Sequence, residues 1–169
     1  MRGRGYASDC RAGADEPVTP ADADAESLDG SLSYVVQSSV GGLLEMRAGR
    51  LECLDDLLAF HHAIHRAARR LQTRTVVFAD YRRGRPFPQD VGDAWCRFMR
   101  QDNARISASG ILLDPMNHTF NLQFERVVRC AGNPARRIFH DAGELRDWLS
   151  HATTAAELAR INDLLRNGR

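Results

Sequence analysis

Apolar residues are sparse before position 33 and afterwards fall into short blocks separated by polar turns. Residues 34–40 and 43–47 read as two strands. Gly41-Gly42 between them offers the positive φ values that a tight hairpin turn uses, so the pair is predicted antiparallel. Over 54–71, Leu54, Leu57, Leu58, Ile64, Ala68 and Leu71 recur at three- and four-residue spacing, which predicts a first helix. Residues 75–79 are apolar and β-branched without alternation, as in a central strand covered on both faces. A loop over 80–88 leads to a second helix at 89–102 that buries Val91, Ala94, Trp95, Phe98 and Met99. Another buried strand follows at 106–113, and Asp114-Pro115 suits an N-cap with proline at the first helical position. The third helix runs to Ala131 on Phe120, Phe124, Val127 and Val128, with Gly132 placed to end it. A short strand at 137–140 precedes two helices, each opened by capping-box spacing: Asp141-x-x-Glu144 and Thr154-x-x-Glu157. A break is expected near 151–154.

The resulting order is β-β-α-β-α-β-α-β-α-α. Helices between strands imply parallel pairing with helical crossovers, and the opening hairpin adds one antiparallel pair. The predicted fold is an α/β domain with a mixed, mostly parallel sheet of about five strands. No internal repeat is visible, which excludes solenoids.

Composition changes this picture in three places. The 169 residues hold 23 basic and 22 acidic side chains, formally +1, and every basic residue is arginine. A GC-rich coding bias explains the missing lysine more simply than chemistry does, although an arginine patch could grip carboxylate or phosphate bidentately. The charge is uneven: residues 1–30 carry three arginines and seven acids, net −4, leaving +5 over 31–169. The first segment reads as a disordered acidic tail, and residues 31–169 as one domain with a C-terminal helical extension. A charge of +5 without a concentrated stripe makes nucleic acid an unexpected partner. Cys10, Cys53, Cys96 and Cys130 form no Cys-x-x-Cys pair; the last three read as small packed residues, and a reduced, cytoplasmic setting is expected. No signal-like leader or membrane-spanning run is present.

The element order, with a strand ending in Asp80, and the closing pattern Arg137-Ile138-Phe139-His140-Asp141-x-x-Glu144-Leu145-x-x-Trp148-Leu149 resemble STAS domains and the SpoIIAA-like group of anti-sigma-factor antagonists. The likeness covers residues 33–150. It implies a non-enzymatic bacterial interaction module. In that family a serine at the start of the second helix is phosphorylated, and the added charge switches partner binding. This chain departs there: its corresponding segment is Asp80-Tyr81-Arg82-Arg83-Gly84-Arg85-Pro86-Phe87-Pro88, and no Ser or Thr occurs from Val76 to Cys96. The serine switch is therefore not expected.

That loop is the main candidate site. It should project from the C-terminal ends of the parallel strands, where open α/β sheets collect ligands. Asp80, Tyr81, Arg82, Arg83, Arg85 and Phe87 combine basic and aromatic character, a mixture enriched at interface hot spots. An acidic protein surface or a phosphate-bearing ligand is the expected partner, with the acidic tail able to compete for the same arginines. His61 and His65 lie four apart on the first helix, the spacing that puts two imidazoles on one face. No third ligand can be assigned, so they read as core or boundary histidines and no metal or cofactor is expected. Glycine phosphate loops and a Gly-x-Ser-x-Gly elbow are absent, and no enzyme activity is expected. The alternative is a binder of a lipid or nucleotide in a pocket between sheet and helices, lined by Phe78, Trp95, Phe120 and Phe124.

Overall fold

A computed structural model describes residues 34–71 and 74–167. The acidic tail expected over 1–30 lies outside the described residues. The strands are β1 (Tyr34–Gln37), β2 (Leu43–Ala48), β3 (Thr75–Asp80), β4 (Ile106–Leu112) and β5 (Arg136–Phe139). The helices are α1 (Leu54–Ala68), α2 (Gln89–Asp102), α3 (His118–Ala131), α4 (Ala142–Ser150) and α5 (Ala155–Asn167). This is the α/β order read from the sequence. The five strands lie in the order β1-β2-β3-β4-β5, with β1 antiparallel to β2 and the rest parallel.

Sequential parallel strands joined by right-handed crossovers must place every crossover helix on one face. The core is divided accordingly. On one side Leu44, Met46, Val77, Ala79, Tyr81, Ile111 and Leu113 pack with α1, α2 and α3. Strand alternation sends Leu43, Val76, Phe78, Ala108 and Leu112 to the other side, where Leu145 and Leu149 of α4 and Ile161 and Leu164 of α5 cover them.

Three local expectations are corrected. Only Gly41 of the hairpin pair has positive φ (+55°). Gly42 instead donates its amide to Glu157 Oε1 at 2.7 Å, and a Cβ there would meet the Arg74 carbonyl oxygen. The third helix begins at His118, because the Asp114 carboxylate caps the Met116 amide in a turn rather than opening a helix. Cys96 and Cys130 are not separate packed thiols: they form a disulfide joining α2 to α3, with Cys96 buried and Cys130 exposed. Cys53 is half-buried, and Cys10 lies outside the described residues.

Candidate functional site

The 81–88 loop carries the chain from the C-terminal end of β3 to the start of α2. Its aromatics do not face solvent. Tyr81 continues the inward alternation of Val77 and Ala79 and is fully buried, its ring edge-on to Phe60 and Phe124. Phe87 is buried against Trp95 and Phe120. Asp80 is buried as well, and its carboxylate accepts from Arg82 Nε at 2.9 Å and Arg82 Nη2 at 2.7 Å. That bond to Asp80 raises the guanidinium pKa still further.

Arg83 and Arg85 differ from Arg82. Both are exposed, with no ion pair or hydrogen bond among the described residues. The backbone that carries them is fixed. Asn117 Nδ2 donates to the Gly84 carbonyl at 2.7 Å. Gln123 accepts the Phe87 amide at 3.1 Å and donates to the Phe87 carbonyl at 2.9 Å. A Cβ on Gly84 would run into the Phe120 ring, so the loop sits against α3 only because residue 84 is glycine.

The bond from Asn117 also brings the 113–117 turn beside this loop. Exposed Met116, His118 and Leu122 lie on that turn and on the first two turns of α3. Sequence reading missed these three, since a helix expected to start at 115 would have hidden the turn. Because α1, α2 and α3 each follow a strand directly, all three start at this edge of the sheet and add positive dipole ends to it. The nearby acids Asp90 and Asp114 accept the Val91 and Met116 amides.

A second constellation lies toward the opposite end of the strands. A cavity of about 70 Å³ opens between α1, α2 and the sheet, bordered among others by Phe60, Trp95, Thr75, Ser109 and Arg136. Of the four aromatics expected to line a pocket, only Trp95 borders it. Phe78 points to the other face of the sheet, and Phe120 and Phe124 are stacked on each other in the core. Burial pushes the Tyr81 phenol well above its ordinary pKa, with Arg136 opposing, and burial pulls the Arg136 guanidinium down, with Tyr81 and Asp102 opposing. Arg136 is anchored by donating to Asn103 Oδ1 at 3.1 Å and to the Met99 carbonyl at 3.5 Å.

At the rim of this cavity His61, His65 and Asp102 converge. His61 is largely buried and stacked on Phe98 at 4.1 Å, His65 sits at the boundary, and His62 is exposed, as the helical projection implies. Burial lowers the His61 pKa and outweighs the attraction of Asp102, while His65 and His62 lower it further. Among the described residues this is the group able to hold a metal ion.

No helix among the described residues is long and apolar enough to cross a membrane. Comparisons with protein-family models, curated proteins and solved structures find no match to this chain.

Proposed function

We propose that the protein is a non-catalytic, STAS-like regulatory module that docks an acidic or phosphate-bearing protein partner at the C-terminal edge of its parallel strands, through Arg83 and Arg85. The observation that carries this reading is the pair of unengaged, exposed guanidiniums on a loop locked by Asn117, Gln123 and two buried aromatics. A preformed loop loses little entropy on binding, and arginine presents two parallel donors to a carboxylate or phosphate. Met116 and Leu122 supply apolar contact beside that charge, the combination found at protein interfaces. Tyr81 and Phe87 hold the loop from inside instead of touching the partner, and Arg82 neutralises Asp80.

The lipid or nucleotide alternative is weaker, because a cavity of about 70 Å³ is far below the roughly 300–1,000 Å³ that drug-sized ligands occupy. The same reading places the protein in the cytoplasm, and the Cys96–Cys130 disulfide weighs against that setting, because thiols there are kept reduced.

The test is affinity capture from lysate of the source organism, with wild type beside an Arg83→Glu/Arg85→Glu variant at low and high salt. Arg82 is left intact because it pairs with Asp80. The expected result is a partner held by wild type, weakened by salt and lost by the variant. Partners retained by both proteins with the same salt dependence would overturn the proposal.

A further inference from the structure

His61 and His65 are presented by successive turns of α1, and Asp102 is the last residue of α2, packed beside it. His61 Nε2 lies 3.0 Å from His65 Nε2. Asp102 Oδ2 comes within 3.4 Å of the first nitrogen and Asp102 Oδ1 within 3.3 Å of the second. Protons cannot satisfy all three contacts at once. If only one Nε2 carries a proton, the other imidazole turns a lone pair toward the carboxylate. If both carry one, the two N–H groups face each other across 3.0 Å.

One cation between them resolves the conflict, since all three side chains then act as donors of lone pairs. Ligand atoms about 2.0–2.1 Å from a tetrahedral metal are separated by about 3.3 Å, close to the 3.0 Å between the two nitrogens and to the distance from each nitrogen to its own nearest carboxylate oxygen.

We propose that His61, His65 and Asp102 form a binding site for a divalent transition metal of the zinc class, with its fourth coordination position open. Two imidazoles and one carboxylate suit that class and disfavour magnesium or calcium, which take oxygen ligands. Phe98 stacked on His61 at 4.1 Å fixes one ring plane. The sequence accepts an electrostatic cost here, because a carboxylate at a helix C-terminus opposes the macrodipole. His61, His65 and Asp102 all border the cavity, and a water or a small monodentate anion would complete the tetrahedron. Arg105 and Arg136 border the same cavity; their positive charge weakens cation affinity and favours an anionic fourth ligand. This site does not depend on the docking edge, which lies at the other end of the strands.

The test titrates zinc ion into chelator-treated full-length protein by calorimetry and follows thermal unfolding with and without the metal. Wild type is compared with His65→Ala, Asp102→Asn and the exposed neighbour His62→Ala. Wild type and His62→Ala should each bind one equivalent and unfold at a higher temperature with zinc. His65→Ala and Asp102→Asn should bind at least about tenfold more weakly and lose that shift. Asp102→Asn keeps the side-chain shape, and the metal-free unfolding temperature of each variant separates lost binding from lost folding. No binding by wild type, or equal binding by all four proteins, would overturn the assignment.

Discussion

At residue 80 a carboxylate only 7% exposed accepts two hydrogen bonds from one guanidinium, while the arginines at 83 and 85 project into water. Three arginines in one short segment therefore play different physical roles. Arg82→Ala should destabilise the fold by about 2 kcal/mol, below the roughly 3–5 kcal/mol of a fully buried broken pair because Arg82 itself is partly exposed. Arg83→Ala should change stability by less than about 0.5 kcal/mol. Urea unfolding of the two variants checks this, and adding Asp80→Asn to Arg82→Ala should recover part of the loss. Equal effects of the two arginines would contradict the assigned roles. The sequence shows three basic side chains within four residues but not their division. Asp80 is paired because strand alternation buries it, and that follows from where β3 ends.

Among the elements, α5 is tied to the hairpin by Glu157, beside the Arg160 pair with Glu45 of β2. Glu157 closes the capping box of its own helix, accepting the Thr154 amide at 2.7 Å, and with its other oxygen takes the Gly42 amide. Burial would push its pKa up, but hydrogen bonds from Thr154 and Gly42 and the charge of Arg74 outweigh burial and hold it below the ordinary carboxylate value. A carboxylate with a lowered folded-state pKa contributes stability above its unfolded-state pKa and loses it as pH falls through the folded one. Wild type should therefore lose stability as pH drops below the ordinary glutamate range. Glu157→Gln should cost about 2 kcal/mol at neutral pH and flatten that part of the profile, as charge-assisted hydrogen bonds contribute roughly 1.5–3 kcal/mol. Denaturant unfolding across that pH range measures it; an unchanged acid limb would refute the assignment.

The capping spacing at 154–157 is legible from sequence, whereas the bond to Gly42 joins residues 115 apart and is a product of packing. The same contrast runs through the other elements. The five strands and the five α-helices are visible as apolar runs or helical stripes in the sequence. The stripe of α1 is less so: Leu54 and Leu58 are 40% exposed, while Phe60 and Ala63 are buried in their place. Spacing defines a face, but the neighbouring α2 and β1 decide where on the helix that face is centred.

On the scale of the whole molecule, sequential strand order divides the chemistry between two ends. The C-terminal edge of the parallel strands carries Arg83, Arg85, His118 and three helix N-termini, and the far end of α1 and α2 carries His61, His65 and Asp102. The first end is readable from sequence because loops after parallel strands must project there. At the second, His61 and His65 are visible at helical spacing, but Asp102 joins them only through the packing of α2 against α1. The disulfide between α2 and α3 has the same origin, since its cysteines are 34 residues apart and carry no local motif.

In the proposed function the arginine edge, and not the cavity, meets the partner. Amide chemical-shift mapping of the full chain during titration with an acidic phosphoserine peptide tests it most directly. Saturable, salt-sensitive shifts are expected at Arg83, Gly84, Arg85, Gln89 and His118, absent in Arg83→Glu/Arg85→Glu. Shifts centred on Thr75, Ser109 and Arg136 around the cavity, or no shifts anywhere, would contradict it.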